Sequence, residues 1–250
     1  MFFVFVAHLS RPLEVEAGAL ARALGMTEYE TRLALSAPTP TIMSTTRNRE
    51  RADELVGALR ARGHGAHSFD DTHFVSSQQM HRLDDFRLDS DGVRRTSDGE
   101  LLPYGDVYAI LRAVHDTSGG FERSASPGIV DALFPTGDML STITKYGERE
   151  HVAYFFRRSG ERPWILRERH ASYLGLGSER GTTAYTNFLT TVHRVREASA
   201  MAIYDDRLVR RRVAEKMIAD TLLRTSRDGV DLLAHLLAMA IASQAGSPYR

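Results

Sequence analysis

VAYFFRRSGERPWILRERHASYLGLGSERGTT, residues 152–183, decides the fold more than any other stretch of the chain. It opens on the apolar run Val152 to Phe156, turns through Arg158-Ser159-Gly160-Glu161 and returns along Trp164 to Leu174. Two aromatic-rich runs on either side of a Gly-containing turn predict an antiparallel strand pair. The chain then loosens at Gly175, Gly177 and Gly181 and predicts a helix from Thr182, with Phe188, Val192 and Val195 on one side. Strand, turn, strand, loop and helix in that order imply a small antiparallel sheet closed by a helix. Such an architecture serves binding more often than catalysis.

Towards the N-terminus the pattern changes. Phe2 to Ala7 is aromatic and β-branched and predicts a buried strand. Glu14 to Leu24 predicts a helix stopped at Gly25, and Thr27-Glu28-Tyr29-Glu30 is a capping box opening a second helix that ends before Pro38. Thr41 to Thr45 predicts a strand, Asn48 to Arg62 an amphipathic helix with Ala52, Leu55, Val56 and Leu59 on one face, and Gly65 to Phe69 a strand. The order β-α-α-β-α-β implies a ferredoxin-like α/β layer over residues 1–72. Beyond it come hairpins: Asp89-Ser90-Asp91-Gly92 separates Phe86 to Leu88 from Val93 to Arg95, and Val107 to Val114 predicts a further strand. From Asp205 the chain predicts helix to its end. One apolar stripe runs from Val209 to Leu222, and Asp231 to Ala242 is apolar on nearly every side. The expectation is an α+β protein: a ferredoxin-like layer (1–72), an antiparallel sheet domain with a closing helix (73–203) and a helical C-terminal extension (204–250).

The segments LLPYGDVYAILRAVH (101–115), AYFFRRSGERPWILRE (153–168), YLGLG (173–177), NFL (187–189) and YDDRL (204–208) resemble those of a group of uncharacterised Arg-rich bacterial proteins with a pleckstrin-homology-like domain. The resemblance covers half of the chain. It implies a fold for the middle segment and no activity.

Composition narrows the function classes. With 32 basic and 32 acidic residues the formal net charge is +0, so no global field draws the chain to nucleic acid or to an acidic membrane. Only Lys145 and Lys216 are lysines, an Arg bias that points to a GC-rich bacterial genome. The absence of cysteine excludes disulfides, thiolate nucleophiles and thiolate metal sites. The start MFFVFVAHLS lacks a basic flank and a small-residue cleavage site, and no apolar run reaches the ~20 residues of a spanning helix. A cytoplasmic location is expected, and no cofactor is implied.

Four constellations carry candidate chemistry. His64, His67, Asp70, Asp71 and His73 are of the types that bind zinc, but strand alternation sets their side chains apart. The metal reading, a hydrolase using His64, His67, Asp70 and His73, needs the chain after Phe69 to bend back. The loop Gly175 to Thr183 could offer amides to a phosphate at a helix start, though it lacks a P-loop spacing and a lysine. Arg157, Arg158 and Arg162 around the Ser159-Gly160 turn form a candidate phosphate or phospholipid site. Tyr204-Asp205-Asp206-Arg207 with Arg210 to Arg212 reads as a capped helix start with solvated arginines. Trp164 reads as a core or sheet-edge aromatic. Leu233, Leu237 and Met239, on the second face of the last helix, are the expected contact with another subunit, a homodimer. The leading expectation is a non-enzymatic adaptor for an unknown protein partner.

Overall fold

The computed structural model describes residues 1–36, 40–116, 149–209 and 226–244. The N-terminal layer runs β1 (Phe2–His8), α1 (Leu13–Leu24), α2 (Glu28–Leu35), β2 (Thr41–Thr46), α3 (Arg49–Ala61) and β3 (Gly65–Asp70). Its sheet has the order β2-β1-β3, with β1 antiparallel to both neighbours. Strands β2 and β3 therefore run in the same direction on either side of β1, joined by α3 in a split β-α-β arrangement. The helix ends follow the sequence signals. The amide of Glu30 donates to Thr27 Oγ1 at 3.2 Å and that of Thr27 to Glu30 Oε2 at 2.8 Å, while Arg51 N donates to the Asn48 cap at 3.1 Å.

The two-residue period of β1 separates two cores. Val4 and Val6 face the helices, where they meet Leu20, Leu35, Leu55 and Leu59. Phe3 and Phe5 face the other way, with Phe69 of β3.

Three short strands, β4 (His81–Arg82), β5 (Phe86–Leu88) and β6 (Gly92–Arg95), lead to β7 (Leu101–Pro103). Strands β5, β6 and β7 form one antiparallel sheet, turned at Gly92, where a Cβ would stand 2.3 Å from the carbonyl oxygen of Leu102. The larger sheet adds β8 (Val107–Asp116), β9 (Arg149–Arg157), β10 (Trp164–Arg167) and β11 (Ile203–Leu208) in the order β11-β8-β9-β10-β4. Its three central strands are antiparallel, but β11 lies parallel to β8 and β4 parallel to β10. The sheet is thus mixed, where the sequence implied an antiparallel one. Parallel neighbours need a crossover, and α4 (Ala184–Ala198) supplies one between β10 and β11.

Two expectations are corrected along this path. The strand from Trp164 ends at Arg167, because the buried Glu150 carboxylate gathers Arg167, the amide of Arg169 and the ring of His170 into a turn. Ile203 to Leu208 is a strand, although the acidic pair suggested a helix start. Ladder bonds to β8 and the pairing of Asp205 with Arg207 at 2.8 Å override that local signal.

The last described helix, α5 (Ser226–Gln244), runs between the two sheets. On one side it meets Phe3, Phe5 and Phe69, and on the other Leu111, Tyr154 and Phe156. The far face of the large sheet, with Ile110, Phe155, Trp164 and Leu166, is closed by Phe188, Val192 and Val195 of α4 and by Phe86, Val93 and Leu102. Burial of each Leu or Ile contributes about 1.5–3 kcal/mol, so an all-round apolar helix is stable only with cover on every side. Here the chain's own two sheets provide it. The described residues beyond 203 are accordingly no appended extension: β11 completes the sheet and α5 fills the core. Among the described residues no helix is long and apolar enough to cross a membrane.

Candidate functional site

The histidine-rich segment 64–73 disperses. His64 is buried at the helix side of the N-terminal layer, where Nδ1 accepts from Ser10 N at 3.3 Å and Nε2 donates to Glu16 Oε2 at 3.2 Å. Arg62 closes the same carboxylate at 2.7 Å, and Arg62 with His64 holds Glu16 below the ordinary carboxylate range against its burial. His67, three residues on, stacks on Phe5 with ring centroids 5.4 Å apart. Burial, with Arg60 and His8 nearby, lowers its pKa to about 4. Asp70 Oδ1 accepts from Thr72 N at 3.0 Å, Asp71 pairs with the N-terminal amine at 2.6 Å, and His73 is exposed. The chain after Phe69 does not bend back, so His64, His67, Asp70 and His73 never converge. Among the described residues no three His, Cys, Asp or Glu side chains are arranged to hold a metal ion.

The arginines of the β9–β10 turn also separate. Arg157 is buried against Asp106, Nε to Oδ2 at 2.6 Å, and pairs with Glu161 as well. Arg158 donates to the carbonyl of Met201 at 3.1 Å. Arg162 lines an open cleft of about 490 Å³ with Gln78, Met80, His81, Arg95 and Asp85. A carboxylate already holds Arg157, so these three residues do not form one phosphate cradle.

The Gly-rich loop is structural. Gly175 bridges Arg87, and a Cβ there would stand 2.0 Å from the carbonyl oxygen of Phe86. Gly181 N donates to Asn187 Oδ1 at 2.6 Å, and Thr183 caps α4 by accepting from Thr186 N at 3.0 Å. The amides a phosphate would use are thus partly occupied. Trp164 is fully buried, with the His81 ring tilted against it at 5.3 Å and the Arg95 guanidinium at 5.2 Å. Leu233 and Leu237 are buried inside the chain and Met239 packs against the same core, which corrects their reading as a subunit interface. Arg210 to Arg212 and the stripe from Val213 lie outside the described residues.

The structure also assembles a polar group that the sequence reading missed. Asp231 of α5, His115 of β8 and Tyr154 of β9 meet in the central core, all with no exposed surface. Tyr154 Oη donates to Asp231 Oδ1 at 2.7 Å, and His115 Nε2 lies 2.7 Å from Tyr154 Oη and 3.2 Å from Asp231 Oδ1. Ser77 N donates to Asp231 Oδ2 at 2.7 Å. Burial pushes the Asp231 carboxyl up, but His115, Tyr154 and Ser77 outweigh it and leave the net shift downward. One helical turn on, His235 Nε2 lies 3.0 Å from the carbonyl oxygen of Val75 and its ring packs among Phe69, Phe74 and Phe156.

Carboxylate, imidazole and phenol are the parts of a proton relay, yet these have no surface a substrate can reach. What they do is clamp α5 to the large sheet and to the chain after β3. The signal was a carboxylate at the head of the apolar run from Asp231 to Ala242, which demands a partner once buried.

The outer surface offers a different kind of feature. On the α1–α2 helix pair Leu20, Thr31 and Leu35 point inward, while Val15, Tyr29 and Leu33 are 65%, 75% and 52% exposed. Tyr29 and Leu33 stand one turn apart on α2 and share a face. Gly18 of α1 lies against the carboxylate of Glu28 at the start of α2. No protein-family model, curated protein or solved structure matches the chain.

Proposed function

We propose that the protein is a non-catalytic adaptor that binds a protein partner through the outer face of α1 and α2. The observation that carries this reading is the exposure of Val15, Tyr29 and Leu33 on one helix pair. Tyrosine on a helix surface presents a large rigid area at low entropic cost, and apolar neighbours around it exclude water on docking.

The same reading takes residues 1–72 as ferredoxin-like, on the strength of the split β-α-β order. It takes 73–203 as pleckstrin-homology-like, on the strength of β8, β9 and β10 closed by α4. The parallel edge ladders are departures from that second pattern.

A photo-crosslinking residue at position 29, in cells that make the protein natively, tests the docking face. A discrete cross-linked protein, lost when Leu33→Glu is added and absent when the probe sits at exposed Glu50, is the expected result. A cross-link unchanged by Leu33→Glu in a folded variant would overturn the assignment, as would the lack of any discrete product.

A further inference from the structure

The face of the large sheet that α4 covers carries, towards the 112 and 151 positions, a cationic and aromatic cluster separate from the α1–α2 surface. Arg112 of β8 donates NH1 to Tyr204 Oη at 3.1 Å and sets its guanidinium 5.8 Å from the Phe188 ring centroid. His151 of β9 is its diagonal neighbour on the same face, since Arg112 pairs with Ala153 and Val114 with His151. The His151 ring lies 4.9 Å from Tyr185 and 6.2 Å from Phe188. Arg196 covers Tyr204 at 4.5 Å, and Arg149 adds its charge to the field at His151. The acid that faces this group is Glu168, whose Oε2 accepts the backbone amide of His151 at 3.2 Å.

Two atoms at the centre of the cluster are buried without a hydrogen-bond partner: Arg112 Nε and His151 Nδ1. A desolvated donor left unpaired is costly, and native structures satisfy nearly all of them. A guanidinium edge beside an imidazole, under a surplus of positive charge, matches the fork geometry that recognises oxyanions. The Tyr204 hydroxyl and the Phe188 ring lie against the Arg112 guanidinium, and the rings of Tyr185 and Phe188 lie against that of His151. Tyr185, whose ring lies 4.9 Å from that of His151, is 42% exposed, so the cluster reaches the protein surface.

We propose that Arg112 and His151, walled by Tyr185, Tyr204 and Phe188, form a binding subsite for the oxyanion group, phosphate or carboxylate, of a small ligand. The anion accepts from Arg112 Nε and from a protonated His151 Nδ1. Burial, Arg112 and Arg149 hold the His151 pKa below its ordinary value, against the opposing pull of Glu168. An anion there reverses the balance and raises it.

Nitrogen-15 histidine spectra of the full chain, titrated with pH in chloride, in inorganic phosphate and in acetate, read this directly. The His151 signal is assigned by its loss in His151→Gln. The expected result is an upward, saturable shift of the His151 midpoint with phosphate or acetate, and none at the exposed His193. A response to phosphate alone assigns a phosphorylated ligand, and one to acetate alone a carboxylate. Arg112→Lys keeps the charge but removes Nε, and is expected to weaken anion binding about tenfold at an unchanged melting temperature. Should that variant melt early, calorimetric titration of His151→Gln with the same anion replaces it, with the same loss expected. An equal shift at His193, no saturable shift at His151 with either anion, or unaltered affinity in the folded variants overturns the proposal.

Discussion

Asp231 is the residue on which the interior turns. Its carboxylate accepts from Tyr154 and Ser77 and lies within reach of His115, three groups brought from three separate stretches of chain. Replacing one oxygen by an amide, Asp231→Asn, puts an N–H where an acceptor is needed and removes the charge that His115 faces. A buried polar group left without its partner costs about 1–3 kcal/mol. Asp231→Asn is therefore expected to lower unfolding stability by about that amount, and Tyr154→Phe by less, since it removes both the donor and its need. Urea unfolding of the two variants checks the order. A Tyr154→Phe loss exceeding that of Asp231→Asn would mean the phenol, not the carboxylate, organises the group. Local sequence offered hints at this scale, such as His115 ending an apolar run and Asp231 opening an apolar helix, but not the pairing, because Tyr154 lies 77 residues from Asp231 and His115 lies 116.

Among the elements, α5 shows how the same pattern of residues supports two different structures. Leu232, Leu233, Leu236, Leu237 and Ile241 leave no polar stripe, and from sequence that pattern fits a subunit contact as well as an interior helix. Its position between the two sheets decides for the interior. The double variant Leu233→Glu, Leu237→Glu is thus expected to lose cooperative unfolding and near-ultraviolet circular dichroism, because two carboxylates enter a dry core where each ion costs several kcal/mol. Light scattering that found the variant folded, with only a smaller mass than the wild type, would instead return α5 to a subunit interface. Strand β11 makes the converse point. Asp205 and Asp206 suit a helix start, but the crossover through α4 delivers the segment alongside β8, and ladder hydrogen bonds outweigh a local preference of tenths of a kcal/mol.

At the level of the whole molecule, the core that contains α5 ties the first residues to the last. Phe3, Phe5 and Phe69 share it with Leu233 and Leu237. A fragment of residues 1–72 keeps its helix-side core but uncovers that aromatic face. It is expected to bind a hydrophobic dye and to melt without a cooperative transition; a sharp melt and no dye binding would show that the layer does not depend on α5. The buried histidines make the same core sensitive to acid. Burial lowers the His235 pKa, against the opposing influence of the Val75 backbone and Asp231, and burial with Arg60 and His8 lowers that of His67 to about 4. Each is depressed in the folded chain, so the unfolded chain binds more protons below its ordinary value of about 6.5. The stability these residues contribute is present above that pH and declines as pH falls from 6.5 towards about 4 for His67. Asp231, depressed as a carboxylate, adds its own loss only at lower pH. The urea midpoint is expected to drop between pH 7 and pH 5, and to drop less in His235→Gln. A midpoint level across that range would remove the histidines from the account.

What the chain determined by itself is what neighbouring residues decide among themselves. The capping box at Thr27, the helix stop at Gly25 and the Asp91-Gly92 turn depend on contacts a few residues apart, and they appear in the structure where the sequence places them. The divergence of His64 and His67 was legible for the same reason, since a strand turns successive side chains to opposite faces. Tertiary structure alone decided which surface covers α5, which way β4 and β11 run, where β10 stops, and that Arg157 belongs to Asp106. Each of these is settled by groups far apart in sequence, held in place by burial of apolar area and by buried charges that must be paired. Apolar periodicity marks which face of an element is buried but not which other element covers it, and the pairing of buried charges leaves no periodic mark.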